Sequence, residues 1–247
     1  MITDPWFYAA AIPAVVLMGL SKSGFGAGFG ALAVPLMALA VPVPQAAAIM
    51  LPLLAIMDLM GLAALVRERD KPLVRLLLPA GLVGTLVGTV LFGVLSSKTV
   101  AGIVGVITLA FLLIRVVWPP RADAPPPPRW LGWVLGVTSG FTSFVAHAGG
   151  PPVSFYLLPQ KLTPVAFTAT MAVIFAAINA SKWVPYAWLG LIDLRNLSTS
   201  LALAPFAPLG VWLGLKVVRR IDTTWFYRLF HIGMALTGCK LVYDAVR

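Results

Sequence analysis

The chain has 247 residues, 60% of them hydrophobic and only 11% charged, with a mean hydropathy of +0.96. A soluble domain carries roughly 25% charged residues, so a water-soluble enzyme or binding module is excluded. The formal charge of +10 is therefore read as an orientation signal in a membrane and not as a surface for nucleic acid, since no basic stripe is interleaved with aromatics.

Residues 1–5 lack the basic start of a secretory signal and carry Asp4, so the first apolar stretch is expected to be retained. Apolar stretches recur along the chain, each near the roughly 20 residues that cross a hydrocarbon layer as a helix. Helices are expected, not barrel strands. The first block, 6–40, is interrupted at Ser21, Lys22, Ser23, Gly24, Phe25, Gly26, Ala27, Gly28, Phe29 and Gly30, where glycine frees the backbone; two short helices around a break are predicted. Longer helices are predicted over 46–66, 73–95 and 100–118. Residues 119–129, rich in proline, read as an extended linker outside the bilayer. The order then repeats: an interrupted block over 130–159, broken at 140–152, is followed by helices over 164–189, 197–218 and 225–246. Trp6, Trp118, Trp130, Trp183, Trp188 and Trp225 fall near segment ends, where amphipathic rings favour the headgroup layer. The one cysteine, Cys239, leaves no intramolecular disulfide framework.

The halves 1–118 and 130–247 can be laid over one another. Ser23 falls on Ser143, Gly30 on Gly150 and Pro44 on Pro164, a shift of about 120 residues. Later, Pro79, Gly84 and Gly88 fall on Pro205, Gly210 and Gly214, so the shift has grown to about 126, with the insertion placed around residues 186–195. If each interrupted block enters and leaves on one side, Lys22, Arg67, Arg69, Lys71, Arg75, Arg115, Arg121, Arg129, Lys161, Lys216, Arg219 and Arg220 share a side, which is then the cytoplasm. Lys98, Lys182, Arg195, Lys240 and Arg247 lie on or towards the other. The expected fold class is an all-α polytopic membrane protein of two inverted repeats, each a glycine-broken hairpin plus three transmembrane helices. The linker is then cytoplasmic and both termini lie outside.

Helices interrupted within a membrane bring uncovered N–H groups and positive dipole ends to the midplane, where they attract anions. Ser23, Thr142 and Ser143 supply hydroxyl donors, and Gly26, Gly28, Gly30, Gly149 and Gly150 allow close approach of a ligand. The alternative is that these glycines only let helices pack. That alternative is preferred for Gly84/Gly88 and Gly210/Gly214, which have small-xxx-small spacing. Lys22 either supplies charge to an anion or snorkels to the surface. His147 either meets a substrate or titrates for it, or is a structural histidine. Asp58, mid-segment and with no basic neighbour in sequence, is either a proton-coupling group or an acid held neutral. Asn179 and Lys182, one turn apart, share a face and either line a pathway or join helices.

There is no P-loop, no metal-ligand spacing and no paired carboxylates, so no cofactor, metal or enzymatic role is expected. Ser143 and His147, at i and i+4, form only a weak nucleophile and base signal.

Gly26-Ala27-Gly28-Phe29-Gly30 followed by Val34-Pro35-Leu36, and Gly149-Gly150-Pro151-Pro152 followed by Tyr156-Leu157-Leu158, resemble the paired motifs of the sulfite exporter TauE/SafE family across nearly the whole chain. The sequence departs from that pattern at Phe29 and at Phe155, which stands where the first half has Pro35. The resemblance implies a bacterial inner-membrane secondary transporter of sulfite, an organosulfonate or a related sulfur-containing anion. The partners expected are that anion, the lipid bilayer, and a proton or other coupling ion; a homo-oligomer is compatible. An anion channel and a membrane-embedded accessory subunit or enzyme are the alternatives.

Overall fold

In the computed structural model, residues 1–25, 30–92, 94, 96–117 and 126–246 are described. They are helical, with no strand among them. In chain order the helices are α1 (Pro5–Leu20), α2 (Ala33–Met37), α3 (Val43–Leu65), α4 (Lys71–Leu91), α5 (Ser97–Val117), α6 (Arg129–Ala146), α7 (Gly150–Leu157), α8 (Pro164–Trp188), α9 (Leu194–Leu203), α10 (Phe206–Val218) and α11 (Thr223–Val246).

Local chemistry sets these boundaries. Asp4, Asp70, Thr163 and Asp193 cap α1, α4, α8 and α9 by accepting a backbone N–H of the first turn through their side chains. Proline occupies the first helical positions of α1, α3, α4, α7 and α8, where its missing N–H costs nothing. The predicted span over 197–218 is instead two helices, α9 and α10, bent by 48°. The bend falls at Pro205, which cannot donate to the preceding turn and clashes with it.

Among the described residues, four helices are long and apolar enough to cross a membrane, or up to five with the bent pair, by length and composition. Trp6, Trp130, Trp188 and Trp225 are exposed near helix ends, as interfacial rings should be.

Packing crosses between the halves in a regular way. α1 lies on α10 and α6 lies on α4, while α3 packs on α8 and α5 on α11. One apolar core joins α1, α2 and α3 to Leu203, Ala207 and Val211 of the α9/α10 pair; another joins α6, α7 and α8 to Leu73, Leu76 and Leu77 of α4. Glycine makes these crossings close. A Cβ on Gly140 would lie 1.9 Å from the Gly81 carbonyl oxygen, and one on Gly84 2.0 Å from that of Val137. At the other crossing, a Cβ on Gly210 would meet the Val16 oxygen at 2.5 Å. The packing role preferred for Gly84, Gly88 and Gly210 therefore holds: Gly88 rests against the Phe144 side chain.

The two ends of the bundle differ. At one, Asp70 N–H bonds Thr170 Oγ1 at 3.0 Å and Arg219 reaches the Ala64 oxygen at 3.4 Å, which gathers Arg67, Arg69, Lys71, Arg75, Lys161 and Arg220 with them. At the other, Ile2 N–H bonds Thr199 Oγ1 at 3.0 Å and Gln45 bonds Asn196 at 3.1 Å. Leu241 of α11 packs at that second end with Ala47, Tyr186 and Leu191, so both chain ends lie away from the basic cluster. Lys182 is at neither surface: it is fully buried, and its bond to His147 links it to Ala47 on the side of the second end.

Candidate functional site

The described residues of both breaks have defined local structure. After α1 the chain widens into a π turn, Ser21–Phe25, a form that recurs at functional sites because it redirects side chains within a helix. Ser21 Oγ accepts the Gly30 N–H at 2.8 Å and so ties the far side of the break back to the near side. In the second half, α6 ends at His147, a non-glycine residue in the left-handed conformation with φ 51°. That conformation is costly for most side chains and persists only where the surroundings enforce it.

What enforces it is a polar seam between α3, α6 and α8. Lys22 forms an ion pair with Asp58 Oδ1. Asp58 Oδ2 accepts from Asn179 Nδ2 at 2.8 Å, and Asn179 Oδ1 accepts from Lys182 Nζ at 2.9 Å. Lys182 Nζ also donates to the Ser143 carbonyl and to Ser143 Oγ, each at 2.7 Å, and to His147 Nδ1 at 3.0 Å. His147 Nε2 completes the series by donating to the Ala47 carbonyl at 2.9 Å. From Asp58 to Ala47 the seam follows about three turns of α3, on the order of 16 Å.

A small cavity of about 40 Å³ opens beside the seam, room for a few waters or one small solute, since about 10–15 Å³ holds a single water. Ser21, Lys22 and Gly30 reach it from the first break, Ser143, His147 and Gly150 from the second, and Asn179 from α8. Met18, Leu54 and Phe175 form its apolar wall. Lys22 lines the cavity, and Asp58 and Lys182 stand behind it in the seam, two lysines against one carboxylate, so the surroundings favour negative charge. Among the described residues no group of His, Cys, Asp and Glu suited to a metal ion occurs.

The sequence profile described as Sulfite exporter TauE/SafE matches residues 11–241, a span that holds both breaks and every seam residue. The chain belongs to the sulfite exporter TauE/SafE family. This is a family of membrane transporters for sulfite-type anions, and the chain is a multi-pass membrane protein. Neither the curated proteins nor the solved structures gave a match.

In this TauE/SafE chain the residues singled out by sequence divide into three groups. Lys22, Gly30, Ser143, His147, Gly150 and Asn179 line the cavity, while Asp58 and Lys182 stand behind them in the seam. Ser23 is buried with an unpartnered hydroxyl, and Thr142 turns its hydroxyl back to the Thr138 and Ser139 carbonyls. Gly149 is a packing point: a Cβ there would meet the Ser139 oxygen at 2.5 Å. Gly26 and Gly28 lie outside the described residues. Pro151 and Pro152 lack N–H groups, which leaves Gly149 and Gly150 as the amide donors at the start of α7. Positive charge at this break thus comes mainly from lysine and less from bare amides.

Two residues escaped the sequence reading. Ser21 lines the cavity, although the overlay of halves had drawn attention to Ser23. Tyr186, fully buried, donates to the Phe144 carbonyl and stacks edge-on against the Phe144 ring. The signal for Tyr186 was present: Asn179, Lys182 and Tyr186 stand at i, i+3 and i+7, one polar stripe on an otherwise apolar helix.

Proposed function

We propose that the chain is a secondary transporter that exports a small sulfur-containing anion, such as sulfite or an organosulfonate, across the inner membrane by alternating access. The observation that carries this is the convergence of both breaks on one cavity whose polar wall holds Lys22, Ser143, His147 and Asn179. Lysine and hydroxyl donors suit oxyanion oxygens, and the excess of positive charge rejects cations.

The two halves, 1–118 and 130–247 around the linker 119–129, are inverted repeats in this reading. The swapped packing of α1 on α10 and α6 on α4 supports it, as does the pairing of Asp58 with Asn179, which a shift of about 120 residues places one position apart. The basic end of the bundle is cytoplasmic by the positive-inside rule, and both termini are periplasmic. If a proton accompanies the anion, Asp58 and His147 are the groups placed to take it.

A thermal-shift screen of the purified protein against sulfite, sulfate, thiosulfate, sulfoacetate and taurine tests the site, because a ligand that binds only the folded form raises its stability. At least one should stabilise the wild type, and the gain should vanish in Ser143→Ala and His147→Ala. Equal stabilisation of all three proteins would remove these residues from the site.

A further inference from the structure

We propose that the seam is a socket for a single negative charge: it takes up a monoanion without an accompanying proton, so that the membrane potential itself drives transport. The inference rests on the anion reading above and deepens it to a charge class and a driving force.

The obligate acceptors at the two ends of the seam fix the direction of the hydrogen bonds made to them. Asp58 Oδ2 only accepts, so the Asn179 amide nitrogen faces it and Asn179 Oδ1 must face Lys182. The Ala47 carbonyl only accepts, so His147 Nε2 carries a hydrogen, and with the ring neutral Nδ1 presents a lone pair; an imidazolium facing a neutral Lys182 amine would carry the same single charge. The Ser143 carbonyl only accepts as well. Lys182 Nζ therefore meets three obligate acceptors, which an ammonium satisfies with three hydrogens and a neutral amine, with two, does not. Ser143 Oγ is a fourth neighbour of that ammonium and shares a hydrogen with the Ser143 carbonyl, and Ser143 also lines the cavity.

The charges then add simply. Lys22 and Lys182 are positive, Asp58 is negative and His147 is neutral, leaving one positive charge in the buried cluster. Asp58 is the one carboxylate in the seam, and it is already paired with Lys22. An uncompensated charge away from water is expensive in either sign. One monoanion brings the cluster to neutrality; a dianion overshoots, and a monoanion with a proton on Asp58 or His147 restores the imbalance. The empty site is thus cationic and the loaded site neutral, so each cycle moves one negative charge. With the cytoplasm negative, that favours export, and a potential of 100 mV corresponds to about a 50-fold concentration ratio for one charge.

Methanesulfonate and sulfate are close in size and shape but differ in charge, which makes them the deciding probes. Isothermal titration of the purified full chain at neutral pH, in two buffers of different ionisation enthalpy, reads both affinity and protons exchanged. Methanesulfonate should bind at least 10-fold tighter than sulfate, with the same heat in both buffers. Asp58→Asn, which raises the cluster by one positive charge, should move that ratio at least 10-fold towards sulfate. Tighter binding of sulfate by the wild type, or uptake of one proton per methanesulfonate, would overturn the proposal while leaving the anion site intact. Binding of neither probe would overturn the anion site itself. Should D58N fail to fold, the wild-type ratio and proton count still decide.

Discussion

Among single residues, the Lys22 and Asp58 pair controls the most. Asp58→Ala leaves Lys22 buried without a counter-ion, and breaking such a pair costs about 3 kcal/mol or more. The melting temperature of the detergent-solubilised variant should fall by roughly 6 °C or more, whereas an exposed change such as Lys161→Ala should leave it within about 1 °C. Tyr186→Phe removes the donor to the Phe144 carbonyl and should cost about 1–2 kcal/mol, measured as a smaller fall in the same assay. The sequence exposed the residue types of this site but not their partners. Asp58 was recognised as an expensive buried acid, yet its counter-ion stands 36 positions away, across a break whose path no periodicity describes. Asn179 and Lys182 were paired because helical spacing is local. His147 was singled out for its chemistry, while its left-handed backbone, which aims the ring between Lys182 and Ala47, follows from tertiary packing.

For the elements, glycine positions make the sharpest distinction. Gly140→Ala would place a methyl 1.9 Å from the Gly81 carbonyl, so α4 and α6 must separate and monodisperse protein should be lost on size-exclusion chromatography. Gly61→Ala meets the Ala172 methyl at 3.9 Å, ordinary contact, and should elute like the wild type. Most helices were legible from sequence because apolar runs of spanning length end at caps and prolines that act locally. The prediction over 164–189 matches α8 (Pro164–Trp188) to one residue. Pro205 alone does not reveal the division of 197–218, because proline inside a membrane helix is often absorbed as a mild kink. At Pro52, Pro79 and Pro185 the chain continues as helix; at Pro205 it turns by 48°.

For the whole molecule, the sequence suggests a repeated order of elements but gives no hint that α1 packs on α10 and α4 on α6, since residues near 16 and 210 carry no mutual signal in one chain. That packing gathers the basic residues at one end, and the inside assignment of that end is testable. In a Cys239→Ser background, cysteine at Arg69 should resist a membrane-impermeant maleimide applied to intact cells, and cysteine at Gly190 should react. The reverse pattern would invert the topology and with it the direction of the potential-driven step. The central claim is that the cavity between the two breaks carries a small anion through the protein. Counterflow of labelled sulfite in proteoliposomes tests it most directly: the wild type should show saturable, transient accumulation of the label, and Lys182→Met should abolish it. Accumulation that is absent in the wild type, or undiminished in the variant, would contradict the account.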